Sequence, residues 1–71
     1  MPEFMESDNV QNVEEIEYPN TTILAQTCGI VDRLVFTPNG IFIGYRVKFE
    51  GDGNHKRLVN EENLESCNIN N

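Results

Sequence analysis

Every odd-numbered residue in the stretch 41–49 ("IFIGYRVKF") is apolar, and this period of two constrains the fold more than any other feature of the chain. A β-strand points successive side chains to opposite faces, so a period of two predicts a strand with one apolar face. We expect the odd-numbered side chains to point into a core, namely Ile41, Ile43, Tyr45, Val47 and Phe49. The opposite face then carries Phe42, Gly44, Arg46 and Lys48.

Turn sequences lie on both sides of this strand. "TPNG" at residues 37–40 places Pro, Asn and Gly where a tight turn accepts them, and "GDGN" at residues 51–54 is typical of a hairpin turn. "NEEN" at residues 60–63 predicts a single 3₁₀ turn, after which Leu64 returns to the core. The remaining strands are expected at residues 21–27, 30–36, 55–59 and 65–69.

The negative charge is concentrated in the N-terminal part of the chain. Residues 1–20 contain six Asp or Glu and no Lys or Arg, whereas residues 21–71 contain six acidic and five basic residues. Acidic, weakly apolar segments rarely bury enough surface to fold. We therefore expect residues 1–20 to be a disordered acidic tail and residues 21–71 to form the domain. "MPEF" at residues 1–4 resembles a cloning-derived addition, and we set it aside in functional reasoning.

Length and composition favour a small binding protein over an enzyme. A chain of 71 residues forms at most one small domain with little room for an enclosed pocket. The sequence predicts no membrane segment, no signal peptide, no metal site and no cofactor, which together suggest a cytoplasmic protein. Cys28 and Cys67 are expected as reduced thiols, with a disulfide as the alternative. His55 is expected to be a solvated turn residue.

The strand pattern resembles the SH3-like small β-barrel superfold in its KOW or Tudor-like form. The residues that carry the resemblance are "GIV" at 29–31, "YRVKF" at 45–49 and "RLVNEENLE" at 57–65. The resemblance covers about residues 22–69. It implies an all-β fold, a small barrel of about five short antiparallel strands closed through a 3₁₀ turn. Barrels of this kind act as docking platforms in accessory subunits and adaptors.

The candidate partner-binding residues are Phe42, Arg46, Lys48, Lys56 and Arg57. The preferred interpretation is a non-enzymatic protein–protein interaction module, an accessory or regulatory subunit that docks on a larger protein partner. One alternative is RNA or DNA binding, in which the cations contact phosphates and Phe42 stacks on a base. A viral or mobile-element protein that binds a host factor, and a homodimer, are further alternatives.

Overall fold

The computed structural model describes residues 1–67, and strands and turns make up this part of the chain, together with a 3₁₀ turn at Glu61–Asn63. The strands are β1 (Asn9–Asn12), β2 (Ile16–Tyr18), β3 (Thr21–Ile23), β4 (Cys28–Phe36), β5 (Phe42–Phe49), β6 (Arg57–Val59) and β7 (Leu64–Ser66). The all-β class is confirmed. The strand expected at residues 65–69 begins at Leu64, and residues 68 and 69 lie outside the described residues.

The strands form one antiparallel sheet of five, in the order β6-β5-β4-β1-β7, and a separate β2–β3 hairpin. Within residues 1–67 the sheets do not close into the expected barrel, because β6 and β7 each pair on one side and remain as edges. Both edge strands are only three residues long, which limits the backbone surface they expose.

The expectation of a disordered N-terminal tail is wrong for this structure. β1 lies inside the sheet, where Val10 is opposite Gly29 of β4 on one side and Ser66 of β7 on the other. Val10 is fully buried, while every glutamate of residues 1–20 is exposed. The acidic composition is therefore compatible with strand formation, because the charges stay in solvent and the few apolar side chains point inward.

The core lies on one face of the sheet and extends to the N-terminal residues. Its buried members are Phe4, Val10, Ile23, Val31, Tyr45, Val47, Phe49, Val59 and Leu64. Phe4 is 5% exposed, and its ring meets that of Tyr45 edge to face at 5.8 Å. Residues 1–4 therefore contribute to packing, although the sequence analysis set them aside.

The predicted alternation holds only in the second half of β5. Tyr45, Val47 and Phe49 are buried as expected, but Ile41 is 61% and Ile43 is 44% exposed. In the pairing with β4, Gly44 is opposite Val35 and Phe42 is opposite Phe36, which leaves Ile43 as an extra residue. Such a β-bulge moves every side chain before it to the other face. Phe42 therefore points towards the core, and the prediction for Ile41 and Ile43 is wrong.

Gly44 sits where β5 and β6 approach each other closely. A Cβ at this position would lie 2.6 Å from the carbonyl oxygen of Val59 and 3.5 Å from Cδ1 of Leu58. Only a residue without a side chain fits so near a neighbouring backbone. The glycine therefore serves the strand pairing beside the bulge.

Cys28 and Cys67 form a disulfide, so the expectation of two reduced thiols is wrong for this structure. The bond joins the start of β4 to the residue that follows β7, and these two strands flank β1 in the sheet. The Cα atoms are 5.7 Å apart, within the usual range for a disulfide. The pairing of β1 with both neighbours brings together two cysteines that are 39 positions apart in sequence.

Candidate docking face

The sheet formed by β4, β5 and β6 has an outer face that points away from the core. On this face Lys48 is opposite Ile30, and Arg46 lies between Arg33 of β4 and Leu58 of β6. Directly paired residues of antiparallel strands point to the same side of a sheet. Ile30, Arg33, Lys48 and Leu58 are exposed, whereas Arg46 is half-buried. We call these five residues the docking face.

The docking face is cationic although the whole chain has a net charge of −7. Lys56 lies beside it, since its backbone carbonyl accepts a hydrogen bond from Nη1 of Arg46 at 3.3 Å. Asp32, the extra residue of a second bulge in β4, is 3.6 Å from the Lys56 ammonium. An exposed pair of this kind contributes little to stability. The three charges of the docking face have no such partner among residues 1–67.

Arg46 is the most constrained of these cations. Its Nε atom is buried and has no hydrogen-bond partner among residues 1–67. Its Nη1 group makes the single bond to the Lys56 carbonyl. Because an Arg side chain carries five N–H donors in a planar fork, the guanidinium keeps donors for a planar acceptor such as a carboxylate.

Arg57, predicted as a member of the basic patch, lies on the other side of the sheet. It is opposite the buried Val47, and it forms two hydrogen bonds with the Asp52 carboxylate at 2.8 and 3.0 Å. Its guanidinium carbon is 4.9 Å from the centre of the Tyr18 ring. The hydrogen bonds from Arg57 lower the pKa of the Asp52 carboxyl. Arg57 therefore joins the β5–β6 turn to the β2–β3 hairpin instead of facing a ligand beside Arg46.

Phe42 is also separated from the cations. Its ring packs edge to face against Tyr45 at 5.0 Å and against Phe36 at 5.5 Å. The bulge at Ile43 places it on this side, so Phe42 does not form a stacking platform next to Arg46. Of the five candidate residues, the structure brings together Arg46, Lys48 and Lys56. Whether these residues bind a partner stays a prediction.

Three residues of the docking face were not among the candidates. Arg33 and Ile30 lie in "IVDRLVF", where both sets of alternate positions mix apolar and charged residues. The bulge at Asp32 shifts the alternation, so Arg33 shares a face with Ile30 in spite of its odd spacing. For Leu58 the sequence contains no usable signal, because alternation places it opposite Arg57 and Val59 without indicating which of the two faces meets the core.

The remaining findings concern metal ligands, membrane-spanning helices and similarity to known proteins. Among residues 1–67, no three His, Cys, Asp or Glu side chains are grouped so that they could hold a metal ion. That same part of the chain contains no helix with the length and apolarity to cross a membrane. Comparison with protein-family models, curated proteins and solved structures finds no match to this chain.

Proposed function

We propose that this protein is a non-enzymatic protein–protein interaction module that docks on a larger partner through the docking face. The observation that carries the proposal is the mixture of exposed aliphatic side chains, Ile30 and Leu58, with the cations between them. Protein interfaces combine an apolar centre with polar surroundings and are enriched in Arg. Single exposed aliphatic residues are ordinary, but here two of them share one face with two arginines.

The charge of the docking face indicates an acidic partner. Arg33, Arg46 and Lys48, with Lys56 beside them, outnumber two nearby acidic residues, Asp32, which pairs with Lys56, and Glu50, which lies two positions after Lys48. Complementary charge speeds association and selects against partners of like charge. A partner with carboxylates around an apolar contact would match both properties of the face.

The cations also support a second candidate, binding to RNA or DNA. Four basic side chains near one another form a surface that phosphates would bind. Sequence-tolerant binding of single strands relies in addition on aromatic side chains that stack on bases. Phe42 was the candidate for that role, and its packing against Tyr45 and Phe36 favours the protein partner.

The SH3-like relationship is part of the same proposal. It is supported by the strand order, in which β1 lies between β4 and β7, and by the 3₁₀ turn that precedes the last strand. We propose an open variant of such a fold, in which the β4–β5–β6 part of the sheet presents the docking face. An accessory subunit and a viral protein that binds a host factor are both compatible with this surface.

The proposal is tested by capturing partners from an extract of the source cells on the immobilised chain. We expect Arg33→Glu/Arg46→Glu and, separately, Leu58→Ser to lose the proteins that the unmodified chain captures. Leu24→Ser is the matched control, because Leu24 is 64% exposed and follows β3, outside the docking face. Equal recovery of the same proteins by Arg33→Glu/Arg46→Glu would contradict the proposal.

Salt dependence separates the two candidates. Nucleic-acid binding weakens steeply with salt, with a slope set by the number of phosphates neutralised. Titration with a labelled single-stranded and a labelled double-stranded oligonucleotide, at low and at moderate salt, measures this slope. If binding has a steep salt slope and the Arg33→Glu/Arg46→Glu variant does not bind, the partner of the docking face is a nucleic acid and the protein-partner proposal is contradicted.

A further inference from the structure

The docking face ends in a cavity beside the disulfide. The cavity has a volume of about 190 Å³ and is lined by residues 28–30 of β4, residues 48–50 at the end of β5, and Asn9. Ile30 is the aliphatic residue of this lining, and Lys48 is its cation. Because Ile30 and Lys48 are paired across the two strands, the cavity is continuous with the docking face.

The size of this cavity fits one side chain. Pockets for drug-sized ligands measure roughly 300–1,000 Å³, and a site for a single water needs only about 10–15 Å³. A volume of about 190 Å³ lies between these values. Interfaces often depend on a few apolar side chains that fill well-packed pockets of the partner.

We propose that the cavity is the anchor pocket of the docking face and takes one aliphatic side chain from an acidic segment of the partner. This inference rests on the proposed function and adds the chemistry of the bound segment. Its charge follows from the neighbouring residues, because Lys48 borders the cavity and the paired Arg33 and Arg46 lie next along the sheet. Carboxylates that flank the anchor in the partner would meet these cations.

Glu50 also lines the cavity and opposes a carboxylate. An acidic ligand is attracted by Lys48 and repelled by Glu50, so the two residues have opposite effects on its binding. Removing the charge of Lys48 has to weaken binding, whereas removing that of Glu50 has to strengthen it. An apolar ligand without charge would respond to neither change.

A small probe with both features is N-acetyl-L-leucine, which combines an aliphatic side chain with a carboxylate. Titration of the full ¹⁵N-labelled chain is followed by two-dimensional ¹H–¹⁵N NMR. We expect saturable shifts in the amides of residues 28–30 and 48–50. N-acetylglycine lacks the side chain and N-acetyl-L-leucinamide lacks the carboxylate, and both are expected to bind more weakly.

Variants of the residues that line the cavity identify which of them contact N-acetyl-L-leucine. We expect Lys48→Gln to weaken binding of N-acetyl-L-leucine, and Glu50→Gln to strengthen it, each by roughly 2- to 5-fold, as for exposed charge pairs. Ile30→Ser is expected to abolish saturation. Ile43→Ser is the matched control, since Ile43 is exposed to a similar extent but does not line the cavity.

Any of three results with the probes would overturn the inference, as would the capture result given below: no saturable shift in residues 28–30 and 48–50, equal binding of N-acetylglycine, or weaker binding by Glu50→Gln. The proposed function has a separate readout, namely partner capture by the Arg33→Glu/Arg46→Glu variant. If that variant loses the partner while Ile30→Ser keeps it, docking stands and the anchor pocket is wrong. If N-acetyl-L-leucine binds as expected while charge reversal leaves capture unchanged, the pocket stands as a site and the docking proposal fails.

Discussion

Asn12 is fully buried although its side chain is polar, and its hydrogen bonds explain why the core accepts it. The side-chain amide donates to the carbonyl oxygens of Glu14, Ile23 and Leu24, at 2.9 to 3.2 Å. The side-chain oxygen accepts a hydrogen bond from the Thr27 N–H at 2.9 Å. One side chain thereby bonds to backbone groups that precede β2 and to backbone groups at and after the end of β3.

Replacing Asn12 tests this role. Asn12→Ala removes four hydrogen bonds, one of them buried and three partly buried, and each buried backbone group left without a partner costs about 1–3 kcal/mol. We expect the free energy of unfolding in urea to fall by at least that amount. Gln11→Ala is the control, because Gln11 lies next to Asn12 on β1 and its side-chain amide donates only to the Glu65 carboxylate near the surface. If both variants lose the same free energy of unfolding, the hydrogen bonds of Asn12 contribute no more to stability than that of Gln11.

The Tyr45 hydroxyl connects the N-terminal residues to the 3₁₀ turn. It donates to the Glu61 carboxylate at 2.6 Å and accepts from the backbone N–H groups of Glu3 and Phe4, both at 3.1 Å. The hydrogen bond from Tyr45, followed by that from the Glu3 N–H, lowers the pKa of the Glu61 carboxyl from its ordinary value of 4.5. The ionised form of Glu61 is therefore favoured by folding.

This lowered pKa gives stability a defined dependence on pH. A carboxyl whose pKa is depressed in the folded state contributes stability above its unfolded pKa, and the contribution disappears as pH falls through the folded value. We expect Glu61→Gln to be less stable than the unmodified chain at pH 7, with a difference that shrinks below about pH 4.5. Thermal unfolding measured from pH 7 to pH 3 follows this difference.

The exposed neighbour Glu62 provides the control for the pH series. Glu62→Gln is expected to follow the unmodified chain across the same range of pH. A stability difference for Glu61→Gln that grew towards acid pH would contradict the assignment of the pKa shift to the folded state.

At the scale of elements, the position of β1 inside the sheet is the finding most open to test. Val10 is fully buried there, and Val13, just beyond the strand, is 43% exposed. Val10→Asp would bury an unpaired carboxylate, which a small domain does not tolerate. We expect Val10→Asp to lose the dispersed amide spectrum of a folded protein in ¹H–¹⁵N NMR.

Val13→Asp is the matched control for this test and is expected to keep a folded spectrum. The two variants place the same charge in the same acidic segment three residues apart. A folded Val10→Asp protein whose other amide shifts are unchanged would mean that residues 9–12 are not part of the sheet in solution.

At the scale of the whole molecule, the disulfide closes most of the folded chain into one loop. The two cysteines are 39 positions apart, and in the loop-entropy model a closure of this length stabilises by about 4 kcal/mol. We expect reduction by dithiothreitol to lower the free energy of unfolding in urea by about 2–4 kcal/mol. Cys28→Ser/Cys67→Ser is expected to show this lower stability with and without the reductant. An equal response of both proteins to dithiothreitol would contradict a structural role for the bond.

Local chemistry accounts for what could be predicted from the sequence. The strand from Tyr45 to Phe49 follows from alternation alone, and the chain turns at residues 37–40, where the Gly40 N–H donates to the Thr37 carbonyl. These features depend on residues that are close in sequence, so their side chains suffice to determine them. Of the candidate site, Arg46 and Lys48 were predicted on the correct face for this reason.

Contacts between residues far apart in sequence decided the rest. The bulges at Asp32 and Ile43 are defined only by the pairing of β4 with β5, and they place Arg33 on the docking face and Phe42 off it. β1 became a strand because β4 and β7 provide backbone partners on both sides, which outweighs the acidic composition of residues 1–20. The sequence by itself determined an all-β chain and its turns. Only the tertiary structure decided which strands meet, which cysteines join and which side chains share a face, because those outcomes depend on non-local pairing.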